Sequence, residues 1–250
     1  METIISDFDI FLQNIHTAFA DKELTYSDRS RHIATLLFSR ILAGCDTCRL
    51  LIHGKIVSYI PVILRSVHEA SIDLINISKF DDYPDIMLLS LAQQELKMLR
   101  HFESHKKYSE LFSDGSIPKR RLQAAKSIVS THKHLENKTK LISRFKSAAR
   151  EIEYFSLYND LCRSSHNNLD SLVYAHSDNN GHDAVSHCAP STENTAKYIH
   201  SITSILQTSA TIFHDFLEIP DIDIETLKKS ANSLLDLIEE TIKHQHSSST

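Results

Sequence analysis

A chain of 250 residues with 41% hydrophobic content has material for a substantial core, and its 4 Gly and 5 Pro supply too few turns for a many-stranded β fold. A formal net charge of −5 excludes a protein that coats nucleic acid by charge alone, since that mode needs many phosphate-neutralising cations; a local basic site stays open. The first residues are acidic where a secretory leader would be basic, and no stretch reaches the ~18 uninterrupted apolar residues of a membrane span, so we expect a cytoplasmic protein with no membrane partner.

Apolar residues recur at steps of three and four, with Leu and Ile dominant, which predicts an all-α bundle of about eight helices and no sheet. The first helix is expected over about 3–20, on a wide apolar face of Ile5, Phe8, Ile10, Phe11, Leu12 and Ile15. The second follows the capping candidates Ser27 and Asp28 and reads as a long core helix. The third runs over about 55–79, with a stripe formed by Ile56, Ile60, Ile63, Val67, Ala70, Leu74 and Ile77; Pro61 either kinks it or lies in its first turn. The fourth starts near Pro84 and ends before a break at 113–118.

The fifth segment, about 119–146, is basic and only moderately amphipathic, and is expected as an exposed, interruptible helix. The sixth covers about 149–175 and precedes the polar stretch 176–194, the clearest loop. The seventh and eighth, about 193–217 and 224–244, are joined by a short acidic turn, and the last residues should fray. Neither an internal repeat nor a composition shift divides the chain, so one helical domain over 1–250 is the economical reading.

Cys45 and Cys48 form a C-x-x-C pair, but a structural zinc site needs four ligands, and Cys162 and Cys188 are distant. The pair therefore reads as small buried residues within a helix, and neither a metal nor a cofactor is expected. The 16 His make the overall charge sensitive to mild acidification.

The chemistry-bearing residues concentrate on the third and sixth helices. Arg65 and Glu69 are four apart and share a face of an otherwise apolar helix, where unpaired charges would be costly. The sixth helix offers Tyr158, Cys162, Ser165 and His166 as partners; Tyr158 and His166, eight apart, lie about 80° from each other. If the two helices are neighbours, Arg65, Glu69, Tyr158 and His166 bring a cation, a carboxylate, a phenol and an imidazole into one cluster.

The R-x-x-x-E of Arg65 and Glu69, with the Y-x-x-L-C-x-x-x-H from Tyr158 to His166, resembles an uncharacterised bacterial all-helical domain family that is loosely HEPN-like. The resemblance covers about residues 28–178 and leaves a C-terminal helical pair at about 193–244 outside it. It implies a helical bundle, often a homodimer, and metal-independent ribonuclease activity of the toxin or anti-phage kind. The motif of such proteins is an Arg, usually followed by a polar residue, and a His after four to six intervening positions. Arg100 to His105, R-H-F-E-S-H, resembles that spacing, whereas Arg163 and His166 are too close. Arg100 and His105 point about 140° apart on a regular helix and converge only through a bend or a dimer interface. Both placements of the active pair, Arg65 with His166 and Arg100 with His105, therefore stand.

In the ribonuclease reading, His166 is the general base or acid at the ribose 2′-hydroxyl, Arg65 or Arg163 stabilises phosphate charge, and Glu69 and Tyr158 orient them. Lys119, Arg120 and Arg121, with Lys126, Lys133, Lys138 and Lys140 beyond them, are the candidate RNA-backbone contacts. In the alternative, the same cluster is a buried register lock in a non-catalytic module that binds a protein partner or acts as a scaffold. Phosphate-binding glycine loops, G-x-S-x-G elbows, H-E-x-x-H helices and Glu-x-x-His pairs are absent from the sequence, which removes the corresponding enzyme classes.

Overall fold

The computed structural model describes residues 1–20, 22, 28–104, 116–165, 172–173, 176–177, 185 and 191–247. The fold is all-α, and among the described residues no strands pair into a sheet. The helices are α1 (Glu2–Phe19), α2 (Arg29–His53), α3 (Ile60–Ile77), α4 (Tyr83–Ser104), α5 (Ser116–Thr131) and α6 (Leu141–Ser147). Then follows α7, built of Glu151–Glu153, a π-helical turn Tyr154–Tyr158 and Asn159–Ser165; α8 (Thr192–Leu217) and α9 (Ile224–Ser247) complete the order.

Local chemistry sets several of these boundaries. Asp28 caps α2, its Oδ1 accepting from the Arg31 backbone N–H at 2.8 Å, and Ser191 caps α8 in the same way through Asn194. Lys55 takes a left-handed backbone, φ 56°, costing about 1–2 kcal/mol for a non-glycine residue. The third helix therefore starts at Ile60, after a 3₁₀ turn Val57–Tyr59, and Pro61 lies in its first turn without kinking it. Ala149, φ 59°, likewise separates α6 from α7. The basic fifth segment is interrupted, as α5, a 3₁₀ turn Lys133–Lys138 and α6. Most of the expected loop at 176–194 and the expected break at 113–115 lie outside the described residues.

The chain divides into two compact units, one of Met1–Ser78 with Ile152–Thr250 and one of Lys79–Glu151. In the first, α2 packs along α3, α8 lies against α2, α3 and α9, and α7 packs on α3. Phe8, Phe11 and Ile15 of α1 are fully buried in its core, as are Leu64 of α3 and Leu206 of α8. Phe38 stacks on Phe213 with centroids 4.2 Å apart and meets Phe19 edge-on at 4.9 Å. The buried Phe38 and Phe213 rings each contribute roughly 1.5–3 kcal/mol by leaving water. Helices α2 and α3 approach closely at Gly44, where a Cβ would stand 2.2 Å from Val67 Cγ2.

The second unit is smaller. Leu96 and Leu99 of α4 pack with Leu122 and Ala125 of α5, backed by Ile128 and Val129. Arg144 Nε donates to the buried Tyr83 hydroxyl at 3.2 Å, and Lys138 pairs with Asp82 at 2.6 Å.

Candidate functional site

Helix α3 is apolar along its length yet carries Arg65, His68 and Glu69 in consecutive turns. Arg65 Nε donates to Glu69 Oε1 at 3.3 Å, the four-residue pairing that helix geometry allows. The pair straddles the surface, with the Arg65 and Glu69 side chains 35% and 31% exposed. Tyr158 of α7 donates its hydroxyl to the same Glu69 oxygen at 2.9 Å, and its ring lies 6.0 Å from the Arg65 guanidinium carbon. The cation, carboxylate and phenol expected from the sequence are thus in contact across two helices.

Electrostatics fix their charge states. Burial, followed by hydrogen bonds with Cys162 and Glu69, pushes the Tyr158 phenol well above its ordinary range, so it is a neutral donor. Burial opposes the charge on Arg65, but the opposing groups Tyr158 and Glu69, with Cys162, outweigh it and raise its pKa further. The site therefore holds a permanent, part-exposed cation whose orientation is set by a carboxylate.

Beside it is a pair that sequence reasoning missed, a buried histidine and a part-exposed carboxylate. His68, 1% exposed, donates from Nε2 to Glu153 Oε2 at 2.8 Å. Its ring lies 6.4 Å from that of Tyr158. Glu153 and Tyr158 are five residues apart and would point about 140° from each other on a regular α-helix. The π-helical turn Tyr154–Tyr158, with its i to i+5 repeat, brings both onto the α3 side. The E-x-x-x-x-Y spacing was visible in the sequence, but helical periodicity reads it as two opposite faces. The same turn stacks Tyr154 on Tyr158, with ring centroids 5.5 Å apart and planes inclined by 13°.

The other predicted residues fall elsewhere. Arg163 is exposed on α7. His166, the proposed acid or base, lies outside the described residues, and so does His105; Arg100 is exposed on α4. Lys119, Arg120 and Arg121 are exposed near the start of α5 in the second unit, where Arg121 pairs with Glu95. Cys45 and Cys48 are buried in α2, as expected of core thiols, and burial pushes Cys48 up to about 12. Cys188 lies outside the described residues.

A hollow of about 640 Å³ opens between the start of α1, the end of α2 and the start of α8. In its wall Asp9 lies 3.0 Å from His53 Nε2 and also accepts from Arg49, outside the hollow, at 2.8 Å. The Arg65 cluster has a similar exposure of cation and carboxylate, and differs in adding a phenol from a second helix to the pair.

Residues 31–183 match the model of a family described as a family of unknown function, DUF5677. No curated protein and no solved structure matches the chain.

Proposed function

This chain belongs to the DUF5677 family, and from that premise we propose that it is a metal-independent ribonuclease acting at the Arg65 cluster, in a toxin-like or anti-phage role and as a homodimer. The observation that carries the reading is the Arg65 side chain, a third exposed, its guanidinium held by Glu69 from its own helix and lying over the Tyr158 ring from another. Fixed donors aimed at a phosphate need no reorganisation when charge develops in the transition state. The loosely HEPN-like pattern from Arg65 to His166 supports the same reading, as does the π turn, a distortion that recurs at functional sites.

In the proposed reaction, the ribose 2′-oxygen forms a bond to the adjacent phosphorus as the bond from phosphorus to the 5′-oxygen breaks. The products are a 2′,3′-cyclic phosphate and a free 5′-hydroxyl. His166 performs one of the two proton transfers and solvent water the other. Arg65, assisted by Arg163, balances the additional negative charge on phosphate; Glu69 and Tyr158 position Arg65.

A second reading has its own observation. Tyr158 is 6% exposed and His68 is 1% exposed, so much of the cluster is sealed. In that reading the network locks α3 against α7 in a partner-binding module and performs no chemistry. Total RNA incubated with the parent, His166→Ala and His105→Ala proteins in the presence of a chelator separates the two. We expect cleavage by the parent and by His105→Ala, with loss in His166→Ala. Intact RNA in all three reactions sinks the ribonuclease reading; loss in His105→Ala alone moves the site to Arg100.

A further inference from the structure

The exposed surface leading to Arg65 is aromatic. Phe155 has 63% of its surface open to solvent, and its ring meets Tyr154 edge-on at 5.3 Å and 87°. Tyr154 stacks on Tyr158, and Tyr158 carries the Arg65 guanidinium. Three rings from one π-helical turn therefore lead, contact by contact, from solvent to a part-exposed cation. Leaving a phenyl ring this open forgoes most of the free energy its burial would give.

Resting on the reading of Arg65 as a phosphate-binding group, we infer that Phe155 is a stacking platform for an unpaired nucleobase, which makes the preferred substrate a single strand. A row of rings that starts at an open phenyl and ends at a cation matches an oligonucleotide, whose flat bases are strung along an anionic backbone. Stacking on an aromatic face tolerates any base, but it requires a base that has left its duplex neighbours. Charge on this flank agrees. Glu69 is engaged by Arg65 and Tyr158, and Glu153 by His68. Asp160 lines a separate hollow with Lys197 and His200.

The chain contains no tryptophan, so Phe155→Trp places the sole indole emitter on the platform. The probe is a labelled 2′-O-methyl oligouridine of about 12 nucleotides, which lacks the hydroxyl that cleavage needs, used single-stranded and annealed to its complement. We expect the single strand to quench the indole emission, Phe155→Ala to weaken single-strand binding about tenfold or more, and the duplex to bind at least about tenfold more weakly than the single strand. Affinity of Phe155→Ala within about twofold of the parent, emission unchanged by the strand, equal affinity for duplex, or no binding of either overturns the platform. Ring-dependent binding by a protein that leaves ordinary RNA intact retains the platform and overturns the ribonuclease reading. Parent-rate cleavage by Phe155→Ala overturns the platform and retains the nuclease.

Discussion

The phenol of Tyr158 is the residue on which the cluster turns, because it touches Glu69, Arg65 and Tyr154 at once. Phenylalanine in its place keeps both ring contacts and removes the hydroxyl's hydrogen bonds with the partly solvated Glu69 carboxylate and with Cys162. We expect Tyr158→Phe to cost about 1 kcal/mol in a urea titration. Because burial and its partners push this phenol far up, its phenolate should be missing from the ultraviolet titration of the folded protein, and parent and variant should give the same curve up to about pH 11. Legibility at this scale was partial. Arg65, Glu69 and Tyr158 were readable because charge and phenol interrupt apolar helices at steps that share a face. His68 and Glu153 were not, since a lone histidine in an apolar stripe carries no signal of its partner 85 positions away.

At the scale of elements, capping residues and apolar spacing made α1, α2, α8 and α9 legible to within a few residues. The left-handed turns at Lys55 and Ala149 were not, because neither is a glycine and no local preference announces them. The π turn in α7 escaped for a related reason: one additional residue within a helix leaves composition unchanged. Its role is alignment, which gives a paired prediction. Deleting Ser156 leaves Glu153 and Tyr158 four apart on a regular helix, still on one face, and stability should stay within about 1 kcal/mol of the parent. Inserting an alanine after Ser156 sets them six apart, about 240° round the helix, and should cost about 2–4 kcal/mol as His68 and Glu69 lose their partners. Urea midpoints of the two variants check this, and an equal loss in both would contradict the alignment role.

Across the whole molecule, the family match of residues 31–183 takes in α3 and α7 but omits α1, α8 and α9, which complete the core around Phe38 and Phe213. Long-range ion pairs also join these helices. Burial opposes the charge of Asp9 in α1, yet hydrogen bonds from His53 and Arg49 of α2 outweigh it and hold its carboxyl below the ordinary aspartate value. A depressed carboxyl contributes stability that is present above its unfolded pKa of about 3.9 and is lost as pH falls through the folded value. Asp9→Asn should therefore unfold more easily than the parent at pH 6, by roughly half a kcal/mol given the exposure of the group, and the gap should narrow as pH falls below the unfolded value. Urea midpoints at pH 6 and at successively lower pH check the sign. Arg65→Ala, read for RNA cleavage and for thermal stability in the same preparation, decides whether the Arg65 cluster does chemistry or only joins helices. We expect cleavage down by about a hundredfold or more, with stability lowered by no more than about 1 kcal/mol. Parent-level cleavage, or no cleavage by the parent together with a large stability loss in the variant, would leave the cluster a structural lock.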